Sequence, residues 1–158
     1  CAGCSSVPDS IDGPFTDEEL TFFQGLTERG VRFVLVGLSA AVVQGADTTT
    51  QALDVWIESL GDSGIGEAAH DAGGFFATRT HPPMIGGRGL ERIDVVTHCD
   101  GLEGFDAEYA RTKTLKLGEV ELRVLDLERI IASKEAAGRP KDLAVLPALR
   151  AALAAARG

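Results

Sequence analysis

The stretch over 34–58 constrains the fold of this chain more than any other, because apolar runs alternate there with glycine and polar breaks. Residues 31–36 are rich in β-branched side chains, which is typical of a strand covered on both faces, and Gly37 ends the run. A short apolar helix is predicted over 39–44 and a second strand over 53–57. The segment therefore predicts strand, turn, helix, loop and strand, a unit of an α/β fold.

Aspartates interrupt two of the predicted strands. Asp54 and Trp56 share one face of the second strand, and the three aliphatic residues of that strand share the other face. Asp94 lies in a further predicted strand over 93–97. The two carboxylates lie close together only if these strands are neighbours. A carboxylate opposite a glycine turn indicates a place where a metal and a phosphate can meet, because the free amides of the following helix favour an anion.

Capping and glycine signals predict helices near both ends of the chain. Thr16 and Glu19 form a capping-box pattern ahead of a helix over 17–29. Asp126 and Gly138 bound an amphipathic helix over 127–137.

A last helix is predicted to start at Pro140, whose missing N–H costs nothing in a first turn. Pro147 falls inside this helix, and an interior proline costs about 3 kcal/mol. A kink or break is therefore expected near 143–146.

Weaker patterns cover the middle of the chain. They predict a helix over 67–72, a strand over 75–78, loops at 81–83 and 86–89, a helix over 105–111, and a hairpin of strands 112–117 and 120–124. Arg79 and Arg88 fall in the glycine- and proline-rich part and are interpreted as surface charges.

Length and charge narrow the classes of function. A chain of 158 residues with 44% apolar residues suits one domain, predicted over 16–158, after a flexible arm over 1–15 rich in Ser, Pro, Asp and Gly. The net charge of -9 argues against an extended nucleic-acid surface. Basic residues collect over 139–158, where a phosphate partner is the more natural expectation. No segment is long and apolar enough to span a membrane.

The first residues leave the location of the protein open. A cytoplasmic location is the primary prediction. The alternative is an exported lipoprotein, because the run from Ala2 to Ser6, with Cys4 inside it, is similar to the end of a bacterial lipoprotein signal.

Three segments together resemble the nucleotidyltransferase (polymerase-beta-like) superfamily. In that family a strand ends in Gly-Gly or Gly-Ser, and a later strand carries Asp-hydrophobic-Asp; residues 34–58 are similar to this signature. Residues 92–97 resemble the strand that holds the third carboxylate, and residues 133–143 resemble the C-terminal helical segment of small bacterial members. The resemblance implies a small mixed sheet flanked by helices, with a C-terminal helical segment.

The resemblance also assigns roles to individual residues. Asp54 and Asp94 match the second and third acids, which implies metal-binding and catalytic roles with Mg2+. Gly37 matches the first glycine of the phosphate-binding turn, and Ser39, which begins the helix after it, is a further candidate for binding the phosphates. Lys141, with Arg139 beside it, is a candidate contact for a nucleoside triphosphate.

Two residues depart from the family pattern. Ala52 stands where the first acid belongs, and Leu38 stands where a second small residue belongs. Asp47 substitutes for the missing acid only if its loop bends back to the site. The chain is accordingly predicted to be a degenerate nucleotidyltransferase-like protein, a pseudoenzyme that binds a nucleotide or a protein partner. The alternative is an active enzyme that moves a nucleoside monophosphate from a nucleoside triphosphate to a hydroxyl of a protein, RNA or small molecule.

Overall fold

The computed structural model describes residues 15–158, which form a mixed α/β fold. The helices are α1 (Asp17–Glu28), α2 (Gly37–Val43), α3 (Ser63–Asp71), α4 (Phe105–Tyr109), α5 (Leu127–Ala137) and α6 (Pro140–Arg157). The strands are β1 (Phe33–Val36), β2 (Leu53–Ile57), β3 (Phe75–Ala77), β4 (Met84–Gly86), β5 (Ile93–Val96), β6 (Lys113–Leu117) and β7 (Val120–Val124). The predicted arm, apart from Phe15, and the lipoprotein-like start lie outside the described residues.

All the strands join one sheet in the order β3-β4-β5-β2-β1-β7-β6. β2 is parallel to β5 and β1 is parallel to β7, while the remaining neighbours are antiparallel. The strand that carries Asp54 therefore lies beside the strand that carries Asp94, at the centre of the sheet. The predicted fold, a mixed sheet flanked by helices with a C-terminal helical segment, is confirmed.

Helix α1 begins with the predicted capping box. The Thr16 hydroxyl accepts a hydrogen bond from the amide of Glu19 at 3.0 Å, and the Glu19 carboxylate accepts one from the Thr16 amide at 2.8 Å. Glu19 is fully buried and also accepts hydrogen bonds from Arg92, just before β5. The pair ties the start of α1 to the sheet, and Phe23 of α1 stacks on Phe33 of β1.

The C-terminal helices α5 and α6 pack against each other, and α5 also packs against α2. Asp126 precedes α5 as predicted, but its side chain makes no capping hydrogen bond and lies 3.6 Å from Lys113 instead. A kink or break was expected near 143–146; the break is wrong, because α6 runs uninterrupted through Pro147, and the kink stays a prediction. Leu146 and Leu149 are buried, so packing on the core stabilises the helix and outweighs the low helix propensity of proline.

Two short elements differ from the prediction. β4 falls between the predicted loops at 81–83 and 86–89 and pairs with both β3 and β5. α3 starts four residues earlier than the predicted helix over 67–72, because the Asp62 side chain caps it by accepting a hydrogen bond from the Gly64 amide. Among residues 15–158, none of the helices combines the length and the apolar character that crossing a membrane requires.

Candidate functional site

Asp54 and Asp94 lie side by side on neighbouring parallel strands. They are register partners, so both side chains project from the same face of the sheet. Asp54 is half-buried and Asp94 is exposed. Burial, followed by the charge of Asp94, raises the pKa of Asp54 above its ordinary value. The two carboxylates were expected to lie close together only if their strands are neighbours, and β2 and β5 are neighbours.

Gly37 lies directly against the carboxylate of Asp54. Val36, the last residue of β1, is the register partner of Asp54, and Gly37 follows with a φ of 66°. A Cβ atom at Gly37 would collide with Oδ2 of Asp54. Glycine is required here both because this backbone conformation disfavours side chains and because the carboxylate occupies the space.

The Ser39 side chain is buried and already has partners. Its hydroxyl donates to the Val36 carbonyl at 2.9 Å and accepts from the Asp54 amide at 3.3 Å. These bonds connect the ends of β1 and β2 beneath the carboxylate. The phosphate-binding role predicted for Ser39 stays a prediction, and the contacts assign this hydroxyl to positioning Asp54.

Cationic side chains from α5 and the start of α6 face Asp54. Asp142 is 1% exposed and accepts hydrogen bonds from Nε of Arg139 at 2.6 Å and Nζ of Lys134 at 3.3 Å. The bond from Arg139, and secondly that from Lys134, holds the pKa of Asp142 below its ordinary value against the opposing effect of burial. The charges of Lys134 and Lys141 in turn lower the pKa of Asp54, opposing its rise. Lys141 itself is exposed.

Between Asp54 and the cations Lys134 and Arg139 lies a cleft of about 120 Å³. Its polar lining residues are Asp54, His98, Cys99, Asp100, Ser133, Lys134, Arg139 and Asp142. Burial, and then the charge of Asp54, raises the pKa of the Cys99 thiol to about 11. A thiol with this pKa is protonated at neutral pH and is a poor nucleophile.

A larger cavity, of about 200 Å³, opens at the other end of β1. It lies around Phe33, away from both carboxylates, and Arg32 and Arg123 both stack on the Tyr109 ring in its lining. The cleft beside Asp54, although smaller, is the candidate functional site because it combines carboxylates with opposing cations.

Lys134 is the residue of this cleft that sequence reasoning missed. It lies within the stretch 133–143 that resembles the family's helical segment, yet only Arg139 and Lys141 were assigned to phosphate. The sequence feature that could have indicated Lys134 is its spacing from Asp142 across Gly138, the turn that joins α5 to α6. That turn brings the two side chains together.

The donor set fits one hard cation and does not fit a bridged pair. Mg2+ commonly binds through one or two protein carboxylates, with water and phosphate oxygens completing its shell, and Asp54 and Asp94 can supply such a pair. Within the described part of the chain, no group of three or more His, Cys, Asp or Glu side chains is arranged to hold a metal ion. Asp47 is exposed and belongs to no such group.

The two departures from the family pattern differ in their consequences. Ala52 precedes β2 and offers no oxygen beyond its backbone, and its carbonyl accepts a hydrogen bond from the Thr50 hydroxyl at 3.0 Å. Leu38 is half-buried and packs against the hydrophobic core, and it does not line the cleft. The missing acid therefore leaves no side-chain oxygen at position 52, whereas the side chain of Leu38 is largely accommodated by the core.

Comparison with known proteins identifies the fold. No protein-family model matches the chain, and no curated protein matches it by sequence. The solution structure of the antibiotic-resistance factor ANT(2'')-Ia is similar, with a TM-score of 0.55 over 85% of this chain and 80% of that one, at 13% identity. The fold of this chain is thus nucleotidyltransferase-like. At this level of identity the likeness establishes the fold alone.

Proposed function

We propose that this protein binds a nucleoside triphosphate, together with one divalent cation, in the cleft beside Asp54. The observation that carries the proposal is the register pairing of Asp54 with Asp94 on adjacent parallel strands. The nucleotidyltransferase-like fold favours a nucleotide as the ligand, and the residues of the site carry the rest of the argument.

The phosphates are assigned to the cationic side of the cleft. Lys134 and Arg139 line that side, and the charge of Lys141 also acts on Asp54, in a chain whose net charge is -9. Asp142 holds Lys134 and Arg139 in place, and each cation has more N–H donors than these bonds use. An anion that enters the cleft therefore meets cations that are already oriented, which lowers the entropy cost of binding.

The cation is assigned to Asp54 and Asp94. A bound Mg2+ supplies charge neutralisation and orientation of phosphate oxygens. Gly37 keeps the space in front of Asp54 open, and Ser39 fixes the backbone that carries it. Burial and then the charge of Asp94 raise the pKa of Asp54, and a cation bound between the two carboxylates would oppose both effects.

Nucleotide transfer is proposed to be slow or absent. Two cations that share a carboxylate stabilise both the attacking and the leaving oxygen in two-metal phosphoryl transfer. Ala52 removes the acid that the resemblance places beside Asp54, so the cleft retains binding groups for one cation only. The protein is therefore best described as a degenerate nucleotidyltransferase-like binding protein.

Calorimetry with ATP and Mg2+ or Mn2+ tests the binding proposal. The natural chain is expected to bind the metal nucleotide, and Asp54→Asn is expected to weaken binding by about tenfold or more, since it removes a charged ligand. Lys141→Gln should weaken it severalfold, whereas Lys116→Gln on the edge strand β6 should leave it unchanged as a matched control. Binding that is absent from the natural chain, or that is indifferent to Asp54, would overturn the proposal.

Incubation with labelled nucleoside triphosphates separates the two functional hypotheses. Protein, RNA and small-molecule fractions serve as acceptors, and the label is followed after the free nucleotide is removed. The degenerate site predicts little or no transfer by the natural chain. Metal-dependent labelling that Asp54→Asn abolishes would instead establish the active enzyme.

A further inference from the structure

Two of the large apolar side chains that the described residues leave exposed lie together on one hairpin. Phe75 on β3 is 53% exposed and Met84 on β4 is 44% exposed. Phe75 is the register partner of Gly86, and Met84 is the partner of Ala77, so the four residues share one face of the sheet. This group is called the hairpin surface below.

The Phe75 ring has a defined position on this surface. It lies against Gly86, where a Cβ atom would come within 3 Å of three ring carbons. Gly86 is buried beneath it, which leaves the outer part of the ring for solvent. An aromatic ring that is already held in one position loses little conformational entropy when a partner binds to it.

The surrounding sequence is unlike the rest of this acidic chain. Residues 72–90 contain no Asp, Glu or Lys, and their charged residues are Arg79 and Arg88. Within residues 15–158, neither arginine has a carboxylate within 4.0 Å. Most other arginines of the described chain do pair with carboxylates, so these two are available to an acidic ligand.

This composition favours a protein over a nucleic acid. Aromatic residues, Met and Arg are enriched at protein interfaces, and Lys, Glu and Asp are depleted there. Single-stranded nucleic acid is held mainly by many phosphate contacts, and a chain of net charge -9 offers only two arginines here. Pro82 and Pro83 in the hairpin loop add apolar rather than cationic surface.

We propose that the hairpin surface docks a protein partner through a segment that is acidic and carries an apolar side chain. The apolar side chain packs on Phe75 and Met84, and the carboxylates pair with Arg79 and Arg88. The surface adjoins Asp94, because Met84 is its register partner. Docking does not require nucleotide, so it stands or fails independently of the function proposed above.

Random peptides displayed on phage, selected against the purified protein without nucleotide, test this proposal. The expected winners combine acidic residues with aromatic or aliphatic ones, and the corresponding synthetic peptides bind in fluorescence anisotropy. Phe75→Ala is expected to weaken them by about tenfold or more, as truncation of an interface anchor does. Arg79→Glu and Arg88→Glu should each weaken them severalfold, and more strongly at low salt.

Leu143→Ala is the matched control. Leu143 is also exposed, at 49%, but lies on α6, so its truncation should leave peptide binding unchanged. Circular dichroism confirms that each variant is folded. Failure to select binders, selection of peptides without acidic residues, or binding indifferent to Phe75 would overturn the proposal. Labelled single-stranded RNA that binds through Phe75 while the peptides do not would also overturn it.

Discussion

Replacing Asp142 by Asn should destabilise the protein by about 2 kcal/mol. Asp142 is 1% exposed, and its charge is compensated by Lys134 and Arg139. Removing one partner of a fully buried ion pair costs about 3–5 kcal/mol. Here Lys134 is 20% and Arg139 is 57% exposed, so both can regain water, and the expected loss lies below that range.

Urea unfolding followed through Trp56 fluorescence measures this loss. Trp56 is the only tryptophan of the chain and is buried, so its emission reports on the folded core. A loss of about 2 kcal/mol corresponds to a fall in Tm of about 4–8 °C for a chain of this size. Glu135→Gln is the control, because Glu135 pairs with Arg150 between the same two helices while both are at least half exposed. It should cost at most about 0.5 kcal/mol.

The effect should also depend on pH. Because the folded-state pKa of Asp142 is lowered, its stabilisation is fully present above the ordinary Asp pKa and is lost as pH falls through the folded value. The gap between the natural chain and Asp142→Asn should therefore be constant near neutral pH and shrink in acid. Equal losses for Asp142→Asn and Glu135→Gln, or a gap that grows in acid, would refute the reasoning.

Two other predictions concern the cleft. Gly37→Ala should cost about 1–2 kcal/mol of stability from its backbone conformation and should also weaken metal nucleotide binding, because the new Cβ displaces the Asp54 carboxylate. Gly30 has a similar φ but open space around it, so Gly30→Ala should lower stability without weakening binding. An equal loss of binding in Gly37→Ala and Gly30→Ala would contradict this account. Since the pKa of Cys99 is about 11, its alkylation by iodoacetamide at pH 8, followed by peptide mass spectrometry, should be about 100-fold slower than in the urea-unfolded chain. A rate within tenfold of the unfolded chain would show that this thiol is not shielded.

The central part of the fold could be predicted from the sequence because its signals are local. β-branched runs, Gly37 and the Thr16 capping box each specify an element without help from distant residues. Asp54 and Asp94 stood out in the sequence because they interrupt apolar strands and match the family pattern, and their roles stay predictions. Only the sheet order, which is a long-range property, shows that they are neighbours.

The features that were missed depend on tertiary contacts. Lys134 joins the cleft because the turn between α5 and α6 returns Asp142 to it. α6 continues through Pro147 because Leu146 is buried against the core, which outweighs a local preference. β4 was not predicted because glycines and prolines flank it, and because pairing with the two neighbouring strands, β3 and β5, is what stabilises it.

Counting the cations bound beside Asp54 tests the central claim most directly. Mn2+ is titrated in the presence of a non-hydrolysable ATP analogue, and free Mn2+ is followed by electron paramagnetic resonance. The natural chain should bind about one Mn2+ per nucleotide complex, and Ala52→Asp should bind about two, while the neutral Ala52→Asn stays near one. Two cations on the natural chain, or no difference between the Asp and Asn variants, would contradict the claim that the absence of an acid at Ala52 limits this cleft to a single cation.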